Sequence, residues 1–135
     1  MTFVEAVKTV FGKYVDFDGR ARRSEFWYYI LFVFILDAVI QVLGWILGAK
    51  LGNTLLTLVS LAILLPTLGV SVRRLHDVGR GGWWILLELT VIGTILLIFW
   101  WAQDSQAGDN EFGPNPKVEA ARSEAAQLRD PSEEP

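Results

Sequence analysis

No cysteine occurs among the 135 residues, and the single histidine is His76. The first absence rules out disulfides and thiolate chemistry, and the two together argue against a protein-only zinc site. No metal or cofactor is expected. The string G-x-x-x-x-G-K-[ST] is missing too, with the strand that would precede it, so Gly79, Gly81 and Gly82 are not a nucleotide phosphate loop. Neither a nucleophile nor a metal-ligand cluster lies near His76-Asp77 in sequence, and adjacent helical residues point about 100° apart. That pair is expected to be solvated or capping, and the chain is not expected to be an enzyme. Asp109-Asn110-Glu111 lacks a closed ligand loop and is expected to belong to a flexible tail rather than to a cation site.

What the chain does have is apolar length. Hydrophobic residues make up 52% of it, and its mean hydropathy is +0.35. Three runs, about 26–49, 51–72 and 83–102, each have the roughly 20 residues a helix needs to cross a hydrocarbon core of about 30 Å. The expected fold is therefore an all-α membrane protein with three transmembrane helices. One membrane domain covers 1–116. The first run is too long for the core of a cleavable signal and no A-x-A site follows it, so it is expected to persist as a span.

Ahead of the first run, Phe3, Val7, Val10, Phe11 and Tyr14 recur at helical spacing, which predicts a short amphipathic helix over about 2–14 lying in the membrane interface. Arg20, Arg22 and Arg23 then precede Phe26-Trp27-Tyr28-Tyr29, a basic and aromatic interface anchor. Lys50, Gly52 and Asn53 predict a tight joint between spans one and two. Trp83-Trp84 and Trp100-Trp101 bracket the third run, which places them at opposite interfaces. Arginines gather in the N-terminal segment and in the joint Arg73 to Gly82, so the positive-inside rule puts both in the cytoplasm and, with three spans, the C-terminus on the opposite side. From Asp104 onward three basic residues face eight acidic ones, a charge of −5 that leaves +2 for the rest. The segment 117–135 is Ala/Glu-rich, has no apolar face and is expected to be a mostly disordered acidic tail.

Four groups of residues stand out. Arg20, Arg22, Arg23, Arg73, Arg74 and Arg80 offer forked donors on one side of the membrane, and glycines before span three allow backbone amides to approach an anion; a lipid phosphate suits that geometry. Their interleaved aromatics belong to a membrane interface, so nucleic acid is not expected. Asp37, near the middle of the first run, shares a helical face with Gln41, Gly44 and Gly48, a polar stripe that continues as a helix-packing patch. It is expected to meet the stripe Asn53, Thr57, Ser60, Leu64, Thr67 and Ser71 of the second run. Pro66 leaves the Ala62 carbonyl without its helical donor, predicting a kink. Glu88, about one turn past Trp84, is expected to pair with Arg73, Arg74 or Arg80.

The motifs Gly19-Arg20-Ala21-Arg22-Arg23-Ser24-Glu25-Phe26-Trp27, Arg73-Arg74-Leu75-His76-Asp77-Val78-Gly79-Arg80-Gly81-Gly82-Trp83-Trp84 and Gly108-Asp109-Asn110-Glu111-Phe112-Gly113-Pro114-Asn115-Pro116 occur in this order. Together they resemble the domain of unknown function 805 family, over about Phe11 to Pro116. The resemblance implies a small bacterial inner-membrane protein and supplies no activity, substrate or catalytic residue. The functional expectation is a non-enzymatic adaptor or envelope component that binds anionic lipid or a membrane partner through its arginines. The alternative is an oligomeric channel or transporter subunit that uses Asp37 and Glu88, its protomers associating through Gly44 and Gly48.

Overall fold

The computed structural model describes residues 1–129; the tail end, 130–135, lies outside the described residues. In chain order the elements are α1 (Phe3–Gly12), α2 (Arg23–Leu47), α3 (Ala49–Asp77), a 3-10 helix (Gly82–Leu89), α4 (Val91–Ala102) and α5 (Pro116–Leu128). The fold is all-α, as expected.

A capping box between Thr2 and Glu5 starts α1, satisfying amides that its first turn would otherwise leave bare. Its apolar face does not lie free. Ala6 and Val10 are buried, and Phe11 sets its ring edge-on against Tyr29 and Phe32 of α2, with centroids 6.0 and 5.8 Å apart. The expected amphipathic helix is present and strapped along the first turns of α2.

Among the described residues, helices α2 and α3 are the two elements long and apolar enough to cross a membrane, at about 37 and 43 Å for 1.5 Å per residue. Helix α2 begins before its expected run and ends short of it, whereas α3 extends past its run at both ends. Only Gly48 separates them; its φ of +111° lies in a region that L side chains avoid, so Lys50, Gly52 and Asn53 are already helical. Close packing falls on Gly44 and Gly52 instead of Gly44 and Gly48. A Cβ at Gly52 would lie 2.6 Å from the Gly44 Cα, so two glycines let the backbones touch.

The third run is not the single long helix expected of a span. Thr90 interrupts it: the 3-10 helix ends there, and the Thr90 side chain accepts from the Gly93 amide to start α4. The chain then doubles back. Trp84 and Trp100, placed by the sequence at opposite interfaces, meet edge to face with ring centroids 5.5 Å apart, and the Arg80 guanidinium lies 4.5 Å over the Trp100 ring. A Cβ at Gly93 would collide with the Leu87 carbonyl, which shows how tightly the two limbs approach. At about 18 Å for its twelve residues, α4 is too short to span about 30 Å of hydrocarbon. Residues 82–102 form a helical hairpin whose two ends return to the C-terminal end of α3.

Pro116–Leu128 is helical, with Asn115 capping the Lys117 amide and proline at the first turn, where its missing N–H costs nothing. The helix buries none of its residues, in keeping with the missing apolar face. The core gathers at one end, where Val10, Phe26, Tyr29, Val70, Leu97 and Trp101 pack together. Toward Gly48 the outward side chains of α2 and α3 are apolar and exposed, among them Val39, Leu43, Ile46 and Leu58.

A buried charge cluster as candidate functional site

Arg20 follows a turn at Gly19, whose φ is +83°, and its neighbour Ala21 donates to the Arg73 carbonyl at 3.0 Å. This single backbone bond sets the N-terminal segment alongside the last turns of α3. Arg20, Glu25, Arg73, Arg74 and Asp77 are all buried there, none more than 6% exposed. Three cations face two anions. Such charges tolerate burial only when paired and hydrogen-bonded.

Asp77 is the hub. Its Oδ1 takes the Arg20 Nε at 3.0 Å, its Oδ2 accepts from Arg74 and from the Ser105 hydroxyl at 2.6 Å, and its carbonyl accepts the Gln106 amide at 2.8 Å. An ionised carboxylate offers acceptors only, about four in number, and here they meet three donors. The arginines spend their other donors on carbonyls at the end of the hairpin and just after it. Arg20 reaches Gly108 at 2.8 Å and Gln106 at 2.7 Å, and Arg74 reaches Trp101 at 3.0 Å and also Gln103. Arg73 pairs with Glu25 at 2.7 Å, and its Nε and Nη2 are buried with no partner among the described residues.

His76 and the segment after α4 seal the cluster. The His76 Nδ1 lies 2.9 Å from the Gly19 carbonyl, its ring stacks on Phe112 at 4.0 Å, and its carbonyl accepts from the Asn110 side chain. Asp109-Asn110-Glu111 thus belongs to a folded loop, closed by the bridge between Asn110 and Gly113. Beyond it, Lys117 pairs with Asp104, and that hydrogen bond, with the Ser105 amide, holds the Asp104 carboxyl below its ordinary value.

The two arginine groups expected from the sequence do converge, but on the protein's own carboxylates and carbonyls. Arg20, Arg73 and Arg74 are thereby withdrawn from any open basic surface. Arg22 is half-buried, while Arg23 and Arg80 are exposed. Arg23 gives one donor to the Ala102 carbonyl at 3.3 Å and, with Ser24, Trp27 and Tyr28, lines an open hollow of about 290 Å³. His76 and Asp77, expected to be solvated or capping, are buried and bonded within the protein. Glu88 makes no ion pair among the described residues and stands exposed on the 3-10 helix, since Arg73 and Arg74 are committed elsewhere and Arg80 lies over Trp100. Asp37 is half-buried on α2, and the groove of about 310 Å³ beside Gln41 and Asn53 is lined by neither Asp37 nor Glu88. Sequence reasoning missed Glu25 and Asp77 as partners; the i to i+3 spacing of Arg74 and Asp77 is the one local signal for them.

Among known proteins, the family described as Protein of unknown function (DUF805) matches residues 14–114. Inner membrane protein YhaH of Escherichia coli K12 is 42% identical over 115 residues, covering 82% of this chain and 94% of that protein. Inner membrane protein YhaI of the same strain is 41% identical over 110 residues, covering 81% and 92%. No solved structure matches. The motif-bearing stretches at Gly19–Trp27, Arg73–Trp84 and Gly108–Pro114, which the fold gathers around Asp77, all lie within the matched region, and the chain belongs to the DUF805 family.

Proposed function

We propose that this is a multi-pass inner-membrane protein without enzymatic activity, in which α2 and α3 span the bilayer, the hairpin 82–102 enters from the cytoplasmic side and returns to it, and an outer rim of arginines holds anionic lipid. The location follows the relatives, both of them inner membrane proteins. The orientation follows the arginines, which gather at the Asp77 end. Arg20, Arg73 and Arg74 act as internal rivets that tie the N-terminal segment, α3 and the chain after α4 together. The lipid-binding part narrows to Arg22, Arg23 and Arg80.

The observation that carries the lipid reading is the hollow lined by Arg23, Ser24, Trp27 and Tyr28. It lies at the first turn of α2, where Arg22 gives no side-chain cap and amides are left free for an anion. A cation with spare donors beside Trp and Tyr matches the chemistry of a phosphate at headgroup depth. Native mass spectrometry of the gently solubilised protein tests it. Phosphatidylglycerol or cardiolipin should remain bound to the wild type and be lost from Arg22→Ala/Arg23→Ala. Equal retention by that variant, or a lipid-free wild type, would defeat the reading.

A further inference from the structure

The geometry points to a homodimer formed within the membrane, in which the α2–α3 face carrying Asp37, Gln41 and Asn53 packs against the same face of a second copy. Asp37 lies about 21 Å from the first residue of α2 and about 15 Å from the last, so it is deep in the hydrocarbon from either side. Hydrocarbon offers no hydrogen bonds, and intramembrane carboxyls and carboxamides therefore turn toward protein or water. Within one protomer that need is not met. Side chains at Tyr29, Thr54, Thr57, Thr67 and Ser71 have hydrogen-bond partners, whereas among the described residues the side chains of Asp37, Gln41 and Asn53 have none.

The shape of the face favours a second copy over an unrelated partner. Contact of Gly44 with Gly52 draws the helices together and leaves a groove of about 310 Å³ bordered by Ile40, Gln41, Gly44, Trp45 and Asn53. Trp45 stands at its rim, 84% exposed. A projecting ring and a hollow on one surface are what a two-fold contact requires, because each copy must present both halves of the fit. The polar groups are self-complementary in the same way. Gln41 and Asn53 each donate and accept, and Asp37 accepts when ionised and donates when protonated. Across a two-fold axis the carboxyl of one copy meets amides of the other. Small residues that let backbones approach, with polar groups bonding between helices, make up the usual contact between membrane helices.

The absence of cysteine makes the test clean. Gln41→Cys and Val39→Cys differ by about 3 Å in depth but point about 160° apart on α2. Oxidative cross-linking in native membranes should give a disulfide-linked dimer with Gln41→Cys and little or none with Val39→Cys. In parallel, the dimer fraction is followed in vesicles as protein is diluted into lipid. Replacing Asp37 by Leu, and separately Gln41 by Leu, should raise the dissociation constant about tenfold or more, and Asp37→Asn should recover most of the loss. Gln41 is exposed in the protomer, so its replacement leaves the fold intact, as circular dichroism would verify. A monomer at every dilution, equal cross-linking at Gln41 and Val39, or capture of Gln41→Cys by a different protein alone would overturn the proposal.

Discussion

The hydroxyl of Tyr14 donates to the carbonyl of Ala62, the acceptor that Pro66, lacking an N–H, leaves free in α3. The bond spans 48 residues and joins the segment after α1 to the middle of a membrane helix. Close by, the Asp16 carbonyl would lie 3.3 Å from a Cβ at Gly69, so glycine there gives the segment room to settle on α3. A proline defect is thus repaired from outside its own helix, and α1 is held in place by the same contact.

Tyr14→Phe should therefore destabilise the protein by about 1–3 kcal/mol, the cost of leaving an apolar-side carbonyl unsatisfied. In a Pro66→Ala background the helix regains its own donor, and the same change should cost much less. Reversible unfolding in mixed micelles, run as a double-mutant cycle, checks this. Equal losses in both backgrounds would mean that Tyr14 acts only through packing.

Asp77 should be far less tolerant than Asp37. Asp77→Asn removes the counter-charge of Arg20 and Arg74 together, and a buried pair broken on one side costs about 3–5 kcal/mol. We expect a large fall in melting temperature or loss of accumulation in the membrane. Asp37→Asn, which keeps a hydrogen-bonding group, should leave the protomer's melting nearly unchanged. Similar melting of the two variants would remove Asp77 from the centre of the assembly.

Much of this arrangement is legible in the sequence, and the illegible part has a physical cause. Length and hydropathy place α2 and α3, Pro66 marks its orphan carbonyl, and the arginine motifs mark the end where the chain converges. Two tryptophan pairs around twenty apolar residues, however, describe a span and a hairpin equally well. The discriminating signal is local: Glu88-Leu89-Thr90 puts two polar residues at the tip, and Thr90 is a helix-starting residue within the run. The long-range ion pairs could not be read, because Arg20 and Asp77 stand 57 residues apart and no periodicity links them. The same hidden pairing puts Asp109-Asn110-Glu111, expected in a flexible tail, in a folded loop beside the buried cluster, where the Gly108 carbonyl accepts from Arg20 and the Asn110 side chain donates to the His76 carbonyl.

Gly52 should be the most size-sensitive position of the α2–α3 hairpin. Gly52→Ala places a methyl 2.6 Å from the Gly44 Cα, whereas Gly44→Ala meets the Gly52 Cα at 3.2 Å. Backbone on both sides leaves little room to yield, so the first change should cost about 1–3 kcal/mol and the second less. Thermal melting of both variants in detergent gives the order. A reversed order would place the helices differently at their outer ends.

Topology supplies the sharpest check on the hairpin. The carbonyls of Gln103, Gln106 and Gly108 bond Arg20 and Arg74 directly, so in the proposed arrangement the chain after α4 emerges on the same side as the N-terminal segment. With that side cytoplasmic, green fluorescent protein fused after residue 129 should fluoresce and alkaline phosphatase fused there should stay inactive. Phosphatase inserted at Gly48 should be active, since α2 alone carries that turn across. Active phosphatase at both sites would require 82–102 to cross the bilayer and would be incompatible with Asp77 receiving Arg20 and Ser105 together, because the two donors would then lie on opposite sides of the membrane.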